Sequence, residues 1–140
     1  MRAAGLLAAL LVLVGFGPSG VATAHAQPRT IRVEDAASDQ RLLDDATLRI
    51  ARDANDVAAM REGAGAAMRL GEYDVALGFL NRAETVRPGD PALRALRGSV
   101  MVRLGMPRLA LPLFAEAERL GGRPADFAAD RGLDHDLLGD

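Results

Sequence analysis

Three arginine side chains have the chemistry and the spacing to bind carboxylate groups. Arg69 and Arg103 lie 34 residues apart, and Arg61 precedes Arg69 by about two helical turns. A guanidinium group presents a planar fork of N–H donors that matches a carboxylate in shape and charge. One hypothesis is therefore that they belong to a site for an acidic partner. The alternative is that these arginines are ordinary solvated residues, in a chain whose 17 basic residues are all arginine.

A second group of polar residues surrounds His135, which is flanked by Asp134 and Asp136, with Asp130 and Asp140 close by in the sequence. Carboxylates at this density could bind a hard cation. However, adjacent residues on a helix point in different directions, and the sequence contains no glycine-bearing calcium loop. We therefore interpret the group as a solvated acidic helix face and predict no metal site.

The sequence offers little else that could support catalysis. Gly63, Ala64 and Gly65 do not form a phosphate-binding loop, because no strand is expected before them and no lysine follows. The few serines have no basic partner. We predict that the protein is not an enzyme and needs no cofactor.

The first 26 residues have the order of parts of a secretory signal peptide. Arg2 supplies a positive charge, residues 3–16 form an apolar run, and small-residue cleavage patterns end at Ala24 and Ala26. A transmembrane helix needs about 20 apolar residues, and this run is shorter and is followed by glycine and proline. We expect cleavage after Ala26, or close to it, and export to the periplasm or the medium without membrane insertion of the mature chain.

Length, charge and cysteine content narrow the class of protein further. The 140 residues are enough for one domain. No cysteine is present, so neither a disulfide nor a lipid-modified cysteine contributes. The formal charge of −2 becomes −3 once Arg2 is removed, with 16 arginines against 19 acidic residues. This balance disfavours nucleic acid or an anionic membrane as the main partner.

A period of 34 residues organises the rest of the chain. The residues that recur in two positions one period apart are Leu70 and Leu104, Gly71 and Gly105, Ala76 and Ala110, and Ala83 and Ala117. Self-similarity at this period is typical of helix–turn–helix repeats. The sequence therefore predicts an all-α fold built from antiparallel helix pairs.

Local signals predict where the helices begin and end. After a flexible leader over residues 27–38, we expect helices at residues 39–52, 57–70, 72–86 and 91–104, at about 107–120, and from Pro124 onward. Asp56 and Asp90 are expected to cap helix starts, and Gly71 and Gly105 to end helices. Because Pro112 would break a helix interior, a late start near Leu109 or a kink is expected.

Each of these helices is expected to have an apolar face that points inward and a polar face on the opposite side. They comprise Leu42, Leu43, Ala46 and Ile50; Val57, Met60, Ala64 and Ala67; Tyr73, Ala76, Leu77, Leu80 and Ala83; Leu93, Leu96, Val100, Met101 and Leu104; and Ala110, Leu113, Phe114, Ala117 and Leu120. Small residues such as Gly63 and Gly65 are expected to let two helix axes approach closely.

These positions resemble the tetratricopeptide repeat (TPR) family, with units at about residues 57–90 and 91–124 and a partial unit at 125–140. The residues that carry the resemblance are Ala64, Gly98 and Gly132; Gly71, Gly105 and Gly139; Ala76 and Ala110; Ala83 and Ala117; and Pro88. Gly63, Arg97 and Arg131 depart from it, since the family usually has leucine there. The resemblance implies a short right-handed α-solenoid over residues 39–140, with the first helix acting as an N-terminal cap.

The TPR resemblance also implies a concave groove that holds an extended peptide or a partner's helix. The residues placed in that groove by the resemblance and proposed to bind the partner are Arg61, Met68, Arg69, Ser99, Val102 and Arg103. The arginines would bind an acidic segment or a C-terminal carboxylate above an apolar floor of Met68 and Val102.

Two functions are therefore expected. The first is an exported adaptor that binds a partner protein during envelope, pilus or secretion assembly, since export, arginine-only basicity and the ending at residues 137–140 look like TPR proteins of alpha-proteobacteria. The second is a structural or oligomerisation segment of a longer TPR protein. The sequence leaves open the partner, the oligomeric state and whether Asp140 is the natural C-terminus.

Overall fold

A computed structural model describes residues 33–128 and residue 130. In this part of the chain the fold is entirely helical, which confirms the all-α class. The expected signal peptide, residues 27–32 of the leader and residues 131–140 of the partial third unit lie outside the described residues. The helices are α1 (Val33–Arg52), α2 (Val57–Leu70), α3 (Tyr73–Val86), α4 (Pro91–Arg103), α5 (Pro107–Arg119) and a short 3₁₀ helix (Pro124–Asp126).

The two capping aspartates begin helices as the sequence predicts. Asp56 accepts a hydrogen bond from the Ala59 N–H at 2.8 Å at the start of α2. Asp90 accepts from the Ala92 N–H at 2.8 Å at the start of α4, where Pro91 is the first helical residue. The side chains satisfy N–H groups that have no partner within the helix, so both helix starts are fixed by local sequence.

Gly71 and Gly105 lie at matching corners between consecutive helices. Their φ angles of 81° and 70° are in the left-handed region that glycine adopts without steric cost. Each N–H donates to the carbonyl three residues back, and the N–H of the next residue donates to the carbonyl five residues back, at distances of 2.8–3.1 Å. This pair of bonds is the Schellman end of a helix; it forms at these two corners, 34 residues apart, and again at Gly121 after α5.

The first helix is longer than expected. It begins at Val33, so residues 33–38 of the expected flexible leader are helical. Glu34 and Asp35 in the first turn interact favourably with the helix dipole, which explains why the helix extends beyond the apolar pattern.

The start of α5 decides between two expectations, a start at about residue 107 and a late start near Leu109. The helix begins at Pro107, and Leu109 and Ala110 already donate to the Met106 carbonyl at 3.0 and 3.2 Å. Pro112 therefore lies inside the helix, beyond the first turn, and the late start near Leu109 is not observed. The side chain of Pro112 is exposed, so the ring occupies the solvent side of α5.

Small side chains dominate the buried seams between helices. The fully buried alanines of the first four helices are Ala46, Ala59, Ala64, Ala66, Ala67, Ala76 and Ala83. A Cβ atom at Gly63 would lie 3.0 Å from the Ala46 Cβ and 3.2 Å from the Phe79 ring, so α1, α2 and α3 meet closely at this glycine. Gly65 has no atom of another helix within 4 Å. Of these two glycines, only Gly63 lies at a close approach between helices.

Most of the expected core is buried or half-buried, and two of its residues are exposed. Leu42 is 43% exposed, because the buried stripe of α1 follows Leu43, Ala46 and Ile50 instead. Leu120 is 38% exposed, because α5 ends at Arg119 and the residue after it no longer follows the helical stripe.

Neighbouring helices pack in chain order, and α2 also contacts α4. A second cluster of buried residues joins the end of α4 to α5 and to Phe127 beyond it. None of the described helices is long and apolar enough to cross a membrane.

Candidate partner-binding cleft

A cleft of about 670 Å³ opens between α2, α4 and the residues that follow α5. This volume is within the usual range for binding pockets. We call it the cleft, and its lining residues are Arg61, Met68, Pro91, Ala92, Ala95, Leu96, Ser99, Gly121, Gly122, Arg123, Asp126, Phe127 and Asp130.

The floor of the cleft is apolar because α4 presents short side chains to it. Ala92 and Ala95 lie one turn apart, and Leu96 lies beside Ala95. Met68 of α2 is half-buried against the core and completes the floor. A methionine adapts its shape to a neighbour more readily than a branched side chain does. The floor can therefore accept apolar side chains of more than one shape.

Arg61 is the cation of the α2 wall. Its side chain is exposed, and it forms no ion pair with any described residue. Its five N–H donors are therefore available to a carboxylate that enters the cleft.

Ser99 joins α4 to the far wall of the cleft. It is only 5% exposed, and its hydroxyl oxygen lies 2.5 Å from Oδ2 of Asp130 and 3.2 Å from the Ala95 carbonyl oxygen. A hydrogen bond to a carboxylate is the stronger of the two, so Ser99 donates chiefly to Asp130. The role of Ser99 is thus to hold the far wall, while only a small part of its surface is accessible.

The far wall carries a second acidic residue. Asp126 accepts hydrogen bonds from Arg123 at 3.0 and 3.3 Å, and both side chains are more than half exposed. This pair is local and solvated, and the charges of Arg123 and Asp126 cancel within the wall.

An aromatic stack fixes the far wall to the core. The rings of Phe114 and Phe127 lie 5.3 Å apart between centroids and only 6° from parallel. Phe127 is 4% exposed. The residues between Gly121 and Asp130 are therefore held against α5 by a buried side chain.

Arg69 lies outside the cleft, bound to α1. Its Nε and Nη2 atoms are 2.8 and 2.7 Å from Oδ1 of Asp39. The spacing between Arg69 and Arg61 along α2 is helical, but the two side chains have different surroundings.

Val102 and Arg103 also lie outside the cleft. Val102 is 3% exposed and belongs to the buried cluster around Phe114, so its side chain is part of the core. Arg103 is exposed and forms no ion pair with the described residues. Of the six residues proposed from the sequence, the cleft brings together Arg61, Met68 and Ser99.

Several lining residues were not proposed from the sequence. Leu96 was expected in the core, Phe127 was expected only as a helix residue, and Asp130 was assigned to a solvated acidic face. Hydrophobic periodicity cannot find such residues, because their place depends on how the chain turns after Gly121. The glycine pair at Gly121 and Gly122 was the available signal for that turn.

The described residues contain no group of three or more histidine, cysteine, aspartate or glutamate side chains placed to hold a metal ion. His135 and the acidic residues beside it lie outside the described part of the chain, so the prediction for that group stays a prediction. No protein-family model, curated protein or solved structure matches this chain significantly.

Proposed function

We propose that this chain is a TPR-like interaction module, a short right-handed solenoid that binds a segment of a partner protein in its cleft. Repetition of local geometry supports the proposal. Asp56 and Asp90 are 34 residues apart and both cap helices, and Gly71 and Gly105, also 34 apart, both end helices in the same way. Contact between α2 and α4 is consistent with two stacked helix pairs.

The proposed binding function depends mainly on one observation, the combination of an apolar floor with an unpaired cation at its edge. Ala92, Ala95, Leu96 and Met68 offer an apolar surface, and Arg61 offers a guanidinium group that no described residue neutralises. An apolar peptide with an acidic residue matches both. Charge complementarity of this kind gives specificity to an interface whose apolar contacts supply affinity.

The proposed location is the periplasm, where the module would act as an adaptor in envelope, pilus or secretion assembly. This part of the proposal depends on residues 1–26, whose sequence has the order of a signal peptide. It is independent of the cleft and is tested by N-terminal sequencing of the protein recovered from the producing cell.

Selection from a library of random peptides displayed on phage tests the binding function. We expect the purified protein to enrich apolar peptides that carry aspartate or glutamate. Arg61→Glu should weaken binding of the selected peptides about tenfold, since attraction becomes repulsion at the edge of the cleft. Arg108→Glu is the matched control, because Arg108 is exposed on α5 outside the cleft.

Two results would refute the binding function. One is the absence of any enriched peptide. The other is equal binding by Arg61→Glu and the wild type, which would leave the cleft without a role.

A structural role is the second candidate, and an exposed apolar corner favours it. Met106, just before α5, and Leu109, in its first turn, are 46% and 55% exposed. Stacking of a second copy on this corner would remove them from water. Light scattering after size-exclusion chromatography separates the candidates: a monomer over a range of concentrations favours the adaptor, and a concentration-dependent oligomer favours the structural role.

A further inference from the structure

Two charges of the cleft have no oppositely charged partner among the described residues. Arg61 is the positive one, on the α2 wall, and Asp130 is the negative one, on the far wall. The remaining two charges, Arg123 and Asp126, pair with each other. The cleft therefore presents one charge of each sign in addition to its apolar floor.

Asp130 is held in place by a neutral group. Its Oδ2 atom accepts from the buried hydroxyl of Ser99, and no described cation lies within 4 Å of it. A hydroxyl donor orients a carboxylate without cancelling its charge. Asp130 is half-buried, so a cation that reaches it would be partly shielded from water, and the attraction would be stronger than on an open surface.

We propose that the cleft binds a partner segment of two charges, in one direction: a carboxylate of the segment pairs with Arg61, a basic side chain pairs with Asp130, and apolar side chains lie between them. This inference rests on the proposed binding function and adds the basic group and the direction of the bound segment. A segment bound in reverse would place like charges together at both walls, which is unfavourable.

Asp130→Asn tests the second charge. Asparagine retains an oxygen that can accept from Ser99, so the wall is preserved while its negative charge is lost. We expect the selected peptides to carry lysine or arginine as well as an acidic residue, and to bind Asp130→Asn about threefold more weakly. Asp74→Asn is the control, because Asp74 is exposed on α3 and lies outside the cleft.

Charge exchange tests the direction. A selected peptide is synthesised with its basic residue replaced by glutamate, and its affinity is measured for the wild type and for Asp130→Lys. Under the proposal, the altered peptide binds the wild type weakly and Asp130→Lys regains the affinity. Thermal unfolding of both proteins shows whether the substituted chain is folded. If Asp130→Lys does not fold, the affinities of the same two peptides are measured for Asp130→Asn instead. The proposal is supported if Asp130→Asn no longer binds the basic peptide more tightly than the altered one, and it is overturned if the difference is unchanged.

The outcomes separate this inference from the proposed function. Arg61-dependent binding of peptides that lack a basic residue would overturn the two-charge inference and leave the binding function intact. An unchanged affinity for Asp130→Asn would overturn it as well. A second copy of the chain bound in the cleft, seen as a dimer that Asp130→Asn dissociates in the absence of peptide, would assign the cleft to self-association and overturn the inference.

Discussion

The aromatic ring of Phe114 lies directly against the backbone of Gly98. A Cβ atom at residue 98 would be 2.6 Å from Cε1 of Phe114, a distance that real Cβ contacts essentially never show. The same ring is stacked on Phe127. The absence of a side chain at residue 98 thus sets how closely α4 and α5 pack, and through Phe127 it also positions the far wall of the cleft.

Gly98→Ala is expected to destabilise the protein despite the better helix propensity of alanine. Overpacking of a filled core costs about 1–3 kcal/mol, and alanine returns up to about 1 kcal/mol in a helix interior. The free energy of unfolding should therefore fall, as measured by urea denaturation.

Gly78→Ala is the matched control for that substitution. Gly78 is exposed on α3, and a Cβ atom there would have no other atom within 4 Å. We expect a gain of about 0.5–1 kcal/mol from helix propensity alone. Equal gains at both positions would show that Phe114 moves aside freely, contrary to the packing described.

Arg97 and Glu84 form a bidentate ion pair between α4 and α3. Nε of Arg97 is 3.1 Å from Oε1 of Glu84, and Nη2 is 2.9 Å from Oε2, with side chains only 17% and 18% exposed. Arg97→Leu leaves Glu84 with the longer contact to Arg94 at 3.5 Å. We expect a loss of about 1–3 kcal/mol, because a largely buried carboxylate loses its best partner.

Replacing both Arg97 and Glu84 shows whether the destabilisation comes from the lost attraction or from the unpaired charge that remains after a single substitution. Leucine at both positions 84 and 97 should recover most of the stability, since an apolar pair of similar volume often equals a buried ion pair. Chemical denaturation of the two single variants and the double variant measures this. A double variant no more stable than Arg97→Leu would contradict the argument.

The sequence predicts the helix ends that have a capping residue better than it predicts side-chain partners. Asp56 and Gly71 act through hydrogen bonds to residues within five positions, so their sequence context contains the whole interaction. Arg69 was proposed for the groove, but it binds Asp39, which is 30 residues away. A contact of that range depends on how α1 packs on α2, and no local pattern encodes it.

The same difference between local and long-range interactions explains which residues of the cleft the sequence could predict. Arg61 and Met68 are about two helical turns apart on α2, so the helical period predicts that they lie on the same face. Both line the cleft, in agreement with that period. Asp130 enters the cleft only because Phe127 is buried against Phe114, which brings the chain back toward α4. That return is a tertiary packing event, and the spacing of the aspartates in the sequence does not indicate it.

Arg69→Gln is expected to loosen α1 without affecting the cleft. In this ion pair the side chain of Arg69 is 46% exposed and that of Asp39 is 13% exposed. Loss of the pair should therefore lower the free energy of unfolding by about 0.5–1 kcal/mol. Faster hydrogen exchange of α1 amides would report the change. Arg103→Gln, at an exposed residue without a described partner, should stay within about 0.5 kcal/mol of wild type. Equal effects of the two substitutions would argue against a specific role of the Arg69–Asp39 pair.

Asp56 is expected to make stability depend on acid pH. The hydrogen bond from the Ala59 N–H holds the pKa of Asp56 below its ordinary value of 3.8, and Arg49 acts in the same direction against the effect of burial. The folded state therefore binds this proton less readily than the unfolded state, so the stabilisation is complete above the ordinary pKa and is lost as the pH falls through the folded one. Asp56→Asn keeps a capping oxygen but has no charge to titrate. Urea midpoints measured from about pH 6 to about pH 2 should converge for wild type and variant as the pH falls, and a constant difference would contradict the linkage.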